Sequence, residues 1–359
     1  MSRPIEIDLL IVGQGLAGSA LAVTASMAGL DCAIADPALE PGFSASRIAA
    51  GLITPLTGKK INPGWRIEEW LPTARTFYGD AATRFGTEFF HPAEIHRWFT
   101  GEEEYRAFQA RLDEDRIRRW FGGLLPPRPG LNTAHGGFRM IGGGWLDVPA
   151  WLDAIRAEWI RRDRWFPEKV GEEDLELETD AIRVGDLRAR YVIFCTGLAA
   201  MANHRFFPDL PFRPAGGEVL EIRMENPGPD AVWNRAGKWL APRPDGRCLV
   251  GATYAFGATE CDPSAEGRAE LTAFLAELGI TNPEVVGHRA GVRPILHQSR
   301  PVAGFSPENP RVGILNGLGS KGVLTAPWAA AELVAHIRDG KALDPELDPT
   351  RLQRIHRRP

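Results

Sequence analysis

The sequence is short of cysteine, of long apolar runs and of any excess of one charge, and each shortage closes off a class of protein. Four cysteines in 359 residues (Cys32, Cys195, Cys248 and Cys261) form no C-x-x-C pair. That spacing excludes a disulfide-stapled scaffold and a cysteine metal site, and it fits a reducing compartment. No window approaches the ~18 continuous apolar residues of a spanning helix. The opening MSRPIEIDLLIVGQG has one Arg and a short apolar run ending in a glycine turn, so it reads as a strand rather than a signal peptide. The expected location is the cytoplasm. With 42 Lys plus Arg against 46 Asp plus Glu, the net charge is -4. This argues against a nucleic-acid coat, while a local basic patch remains compatible with it. H-E-x-x-H, P-loop and nucleophile-elbow motifs are lacking, and no metal is expected.

What is present is an ordinary globular balance, 44% hydrophobic and 25% charged, at a length that suits two domains or one large α/β unit. Residues 7–12 are almost unbroken apolar, as in a strand buried on both faces of a parallel sheet. Small residues from Leu16 to Ala28 suit a helix, Gly29 stops it, and Cys32–Ala35 give a second strand ending at Asp36. YVIFCTG (191–197) and RVGILNG (311–317) read as later strands of the same sheet. Residues 85–144 and 212–260 change texture, with 218–224 alternating and 238–254 reading as two strands about a Pro-Asp-Gly turn. Helices are expected over 102–117, 149–161 (Asp147 capping), 264–278 and 326–338, and part of the tail from Lys341 should be loose.

Gly13, Gly15 and Gly18 make G-x-G-x-x-G between the first strand and helix, and Asp36 ends the second strand. The first glycine permits a tight turn, the second lets backbone approach a pyrophosphate, and the third lets helix pack on strand. Free N–H groups of the helix N-terminus face the phosphates, and the acid accepts from a ribose hydroxyl. A tight turn without a ligand is the alternative, and the fingerprint alone does not separate NAD from FAD.

Further stretches tip that choice. SASRIAAGLITP (44–55), GGGWLDVPAWLDAI (142–155), VIFCTG (192–197), GVRPILHQSRPVAG (291–304) and NGLGSKGVLTAPWAAAELV (316–334) occur in this order. Together they resemble the D-amino-acid-oxidase superfamily of FAD-dependent oxidoreductases, which includes glycine and sarcosine oxidases. AAGLITPL with TGKKINPGWRIEEWLPTARTFY, and GLGSKGVLTAP, are also similar to the oxidoreductase half of the bifunctional enzyme that modifies the tRNA wobble uridine. That half removes a carboxymethyl group from an aminomethyl substituent. This chain is not strongly basic and carries no methyltransferase half, which argues against tRNA. The resemblance implies an α/β fold (α+β overall): a Rossmann-like FAD-binding domain (1–84, 145–211 and 285–359) with a second, mostly antiparallel β-sheet substrate domain (85–144 and 212–284).

It also implies residue roles. Asp36 takes the adenosine ribose, and the loop Gly13, Gly15, Leu16, Ala17 and Gly18 takes the pyrophosphate. Arg47, Ala49, Ala50 and Gly51 line the diphosphate and ring, Val170 meets adenine, and Thr196 and Gly197 pass beneath. Gly317, Gly319, Ser320, Lys321, Gly322 and Val323 close over the pyrimidine side, where N–H groups, a helix dipole and the Lys321 cation stabilise negative charge. FAD is expected to be non-covalent, since the C-terminal loop has no cysteine. Arg293 is matched to the residue that grips a substrate carboxylate, the alternative being a structural ion pair. Tyr254 is a pocket residue or a core tyrosine. His91, His96, His288 and His297 lack triad or metal spacing, and Trp145, Trp151 and Trp159 read as core. RIRRW (116–120) and RRDRW (161–165) are solvated helix faces or a phosphate-binding surface. The expected reaction is oxidation of a C–N bond in a small amino acid or secondary amine by hydride transfer to flavin. The electron acceptor is open, with O2 one choice. The alternatives are a modified tRNA uridine as substrate, or a flavoprotein acting mainly as a binding partner.

Overall fold

The computed structural model describes residues 4–37, 44–202, 205–208, 210–224 and 231–356. Its first sheet is built on five parallel strands in the order Trp165–Phe166, Cys32–Ala35, Ile5–Val12, Leu187–Phe194 and Val312–Asn316. Leu9, Leu10 and Ile11 are fully buried, as expected for a strand covered on both faces. Val302–Phe305 and Ile182–Val184 add antiparallel edges. The first helix, Leu16–Met27, lies against the long C-terminal helix Gly322–Asp339, and both join a core with Trp70, Trp151 and Trp159. The chain leaves Ile5–Val12 where the sheet order turns from Cys32–Ala35 on one side to Leu187–Phe194 on the other. Ligands bind at such a switch point.

A second sheet, of nine strands, supplies the wall opposite. It runs from Ala255–Phe256 through Ala215–Arg223, Arg247–Gly251, Lys238–Pro242 and Val232–Arg235 to Ile95–Trp98, Gly137–Met140 and Phe121–Leu125. Pairing is antiparallel except between Val232–Arg235 and Ile95–Trp98. Glu284–Arg293 pairs along the whole of Ala215–Arg223, so the boundary drawn at 285 falls at the start of a strand of this sheet. The same strand runs on into the first layer: Ile295 bridges Leu318, and Gly319 donates to the Pro294 carbonyl at 3.4 Å.

Two elements depart from expectation. The 102–117 helix is two pieces, Glu102–Gln109 and Asp115–Arg118, because Arg111 turns to Glu114 and to the Lys60 carbonyl between them. The tail is packed as far as Leu352, with Leu347 and Leu352 fully buried and Asp344 paired with Arg66, and residues 357–359 of the segment expected to be partly loose lie outside the described residues. A helix over Ile67–Phe85 has no counterpart in the sequence reading. It buries Ile67, Trp70, Leu71, Ala74, Phe77, Tyr78 and Ala81 at helical spacing and carries Pro72 within.

Both arginine clusters are neutralised by nearby acids. Arg116 pairs with Glu114, Arg118 with Asp115, Arg119 with Glu68, Arg161 and Arg162 with Glu158, and Arg164 with Asp31. Hydrogen bonding from Arg161, then Arg162, lowers the Glu158 carboxyl from 4.5 to about 2. A lowered carboxylate pKa stabilises above the unfolded value and loses that effect as pH falls through the folded one. Glu158→Gln should therefore differ from the parent in thermal stability above pH 4.5 and converge with it near pH 2. Melting curves across that range check this, and equal stabilities at neutral pH count against it.

Candidate active site

The glycine loop is closed by contacts that admit no side chain. A Cβ on Gly18 would lie 1.9 Å from the Gly13 carbonyl oxygen, and one on Gly13 (φ +99°) 2.8 Å from that of Cys195. A Cβ on Gly15 would meet only Ser46, its Oγ at 3.0 Å. The first and third glycines thus bind helix to sheet, and the second faces a space bounded by a hydroxyl. Ser46 Oγ accepts from the Leu16 N–H at 3.0 Å, in place of a cap from the N-cap residue Gly15, which has no side chain. Asp36 accepts from the Gln14 N–H at 2.6 Å, which sets its carboxylate at the loop. Ala17 is buried against the sheet.

The next segment carries Arg47, Ala49, Ala50 and Gly51 along one side of this space. Arg47 pairs with Asp153 on the helix Val148–Arg161. Gly51, at φ +72°, abuts the Leu146 carbonyl so closely that a Cβ would clash at 2.1 Å. Ala50 offers its carbonyl to Arg243 at 2.8 Å. Arg243 lies over the Trp145 ring at 4.3 Å, and burial pulls its pKa down to about 10. Beneath, Thr196 and Gly197 follow the Leu187–Phe194 strand, and Asn316 donates to the Gly197 carbonyl at 2.9 Å. Val170 packs with Ile7, Ala33 and Ala35 on the outer face of the sheet.

Gly317, Gly319, Ser320 and Lys321 form the turn before Gly322–Asp339. Gly322 meets Leu16 of the first helix, and the Val323 carbonyl accepts from the buried Tyr78 hydroxyl at 2.9 Å. Lys321 caps this helix in place, though no side chain bonds its end. Burial lowers the Lys321 pKa. Among the described residues no carboxylate stands within ion-pair distance of it.

On the opposite wall Arg293 ends its strand with the guanidinium over Gly217, where a Cβ would fall 2.3 Å from its nitrogens. It donates to the carbonyls of Gly216 at 3.0 Å and Thr253 at 3.4 Å, and its Cζ sits 4.9 Å from the centre of the Tyr254 ring. Burial lowers its pKa. Among the described residues no acid pairs with it. Tyr254 is 44% exposed, which sets aside the core reading of that residue.

These residues fit FAD on the structure's own terms. Thr196 Oγ1 is buried with no hydrogen-bond partner. Two helix N-termini whose N-cap residues make no side-chain cap meet where Gly322 contacts Leu16, and Lys321 stands at the second of them; such ends accommodate phosphate and an anionic ring. The sequence profile of the family described as FAD dependent oxidoreductase matches residues 8–337. The chain belongs to this family. It is an oxidoreductase, and its cofactor is FAD.

The oxidoreductase is 27% identical to the tRNA 5-methylaminomethyl-2-thiouridine biosynthesis bifunctional protein MnmC of Marinobacter nauticus, over 92% of this chain and 55% of that one. It is 25% identical to the glycine oxidase of Pseudomonas aeruginosa, over 95% and 96%. The chain thus spans about half the length of the MnmC proteins it matches. In fold it is similar to the glycine oxidase from Geobacillus kaustophilus, with a TM-score of 0.78 at 22% identity over 97% of this chain and 99% of that one. Among the described residues no helix is long and apolar enough to cross a membrane, and no His, Cys, Asp and Glu group suits a metal.

Sequence reasoning passed over Ser46, Arg243 and Asn316. A buried asparagine ending an apolar strand was a usable signal for Asn316; the partners of the other two lie far away in sequence. The four histidines considered above are accounted for elsewhere. His91 stacks on Trp145, His96 is beside Glu94, His288 is beside Glu218, and His297 is in a short turn.

Proposed function

We propose that the oxidoreductase oxidises the C–N bond of a small amino acid or secondary amine bearing a carboxylate, which Arg293 grips. The observation that carries this is a half-buried guanidinium held by two carbonyls with no acid beside it among the described residues. Carbonyls fix its plane without neutralising it, so its charge is kept for an incoming carboxylate, and a planar fork suits that group. The chemistry that FAD supplies is acceptance of a hydride from the carbon beside nitrogen, whose lone pair closes the C=N bond as its proton leaves to water before hydrolysis. Arg293 sets the distance and angle of that carbon. Lys321 and the uncapped helix end at Gly322 hold positive charge where negative charge develops. Ala50 and Gly51 leave the ring side free of bulk, and Arg243 fixes the Ala50 carbonyl.

Anaerobic bleaching of the flavin tests this reading. Glycine and sarcosine should bleach it, carboxylate-free amines should do so more slowly, and 2-hydroxy acids should not. Bleaching by hydroxy acids alone overturns it. The MnmC relatives favour a second reading, a carboxymethylaminomethyl group on tRNA. It predicts binding that weakens steeply with salt, against the neutralised arginine clusters described above.

A further inference from the structure

Phe256 is 81% exposed, the most of any large apolar side chain among the described residues. Leaving such a ring in water forgoes burial that stabilises a fold. It belongs to the two-residue strand Ala255–Phe256, whose partner is Ala215–Gly216, next to the glycine over which Arg293 lies. Tyr254 stands just before this strand, and its ring centre lies 4.5 Å from that of Phe256 at 52°. Tyr254 in turn lies 4.9 Å from the Arg293 guanidinium carbon. A half-buried guanidinium, a phenol and an almost fully exposed phenyl ring therefore follow one another toward solvent.

We infer that Tyr254 and Phe256 form a specificity subsite for a flat π-system carried on the amine nitrogen. The preferred donors are N-substituted glycines whose substituent ends in an aryl ring. This rests on the reading of Arg293 given above. With the carboxylate at Arg293, the nitrogen is two bonds away and a ring borne through one methylene is four bonds away. At about 1.5 Å per bond, an extended chain of that length spans about 5 Å, close to the step from guanidinium to tyrosine ring. The substituent ring then lies against the exposed pair, which stacks with any flat π-face. Glycine and sarcosine reach the arginine and leave the pair unused.

The holoenzyme is tested with sarcosine and N-benzylglycine under anaerobic stopped flow. The efficiency ratio, benzyl over methyl, should be about two to ten, the factor that one stacked ring supplies. Phe256→Ala should lower the ratio several-fold and Phe256→Trp should keep it. A second measurement needs no turnover: calorimetric binding of (benzylthio)acetate against (methylthio)acetate, which have no C–N bond to oxidise, should show the same preference and the same loss. Free 5-carboxymethylaminomethyluridine is the competing arm; efficiency above that of N-benzylglycine overturns the aryl subsite, and efficiency below it supports it. If neither sarcosine nor N-benzylglycine reduces the flavin, the Arg293 reading and this inference fall together. If both reduce it equally well, or Phe256→Ala leaves the ratio unmoved, the subsite alone is overturned.

Discussion

Arg293→Leu is expected to keep the flavin spectrum and lose at least tenfold in efficiency toward carboxylate-bearing amines. The guanidinium lies on the second sheet, away from the glycine loop, so flavin binding should not depend on it. What leucine removes is a charge-assisted contact of roughly 1.5–3 kcal/mol, and each 1.4 kcal/mol or so is a factor of ten. Part of the loss should appear in the reduction step, because the same contact orients the donor carbon. Arg293→Lys should recover only part, since an ammonium cannot replace a planar fork held between the Gly216 and Thr253 carbonyls. Stopped-flow reduction with matched amines, with and without a carboxylate, checks it. Unchanged relative rates would take Arg293 out of the substrate site.

Gly15→Val and Gly18→Val should fail in different ways, and the contrast separates cofactor binding from folding. Valine at 18 has to displace the Gly13 carbonyl, 1.9 Å from its Cβ. Such overpacking costs typically about 1–3 kcal/mol, so the variant should be poorly soluble or melt several degrees lower. Valine at 15 meets only the movable Ser46 hydroxyl. Its apoprotein should fold normally, yet affinity for FAD should drop roughly a hundredfold or more, as expected when charge-assisted phosphate contacts are blocked. Apoprotein melting and FAD titration read the two effects separately. A folded Gly15→Val protein with full flavin occupancy would place the pyrophosphate elsewhere.

Legibility in the sequence followed the range of the forces involved. The first strand, turn, helix and second strand were readable nearly residue by residue, because glycine geometry and two-sided burial are written into neighbouring positions. The Asp147 cap was equally local, accepting from the backbone N–H of Ala150 three residues on. The helix Ile67–Phe85 was hidden by Pro72, whose cost is outweighed by seven buried side chains that packing alone reveals. The broken helix at 110–114 and the packed tail were decided by Arg111 and Arg66 reaching acceptors elsewhere in the chain. Around the cofactor the glycines were visible, whereas the Arg243 contact to Ala50 joins positions 193 apart and has no local signature. Charge runs misled least once their acids were found: every arginine of the two clusters faces a carboxylate.

One continuous length of backbone leads from the Arg293 strand through Pro294 and Ile295 to the bridge with Leu318, beside the turn that carries Lys321. The residue proposed to grip the donor and the loop proposed to close over the ring therefore share a common datum. Their separation is gauged by a few peptide units and a β-bridge, not by how two separate bodies happen to dock. A tilt of the second sheet carries clamp and loop along together. Errors in domain placement do not accumulate in the gap between donor carbon and acceptor ring, and alignment is preserved while the outer rim of the site is free to vary with the substrate.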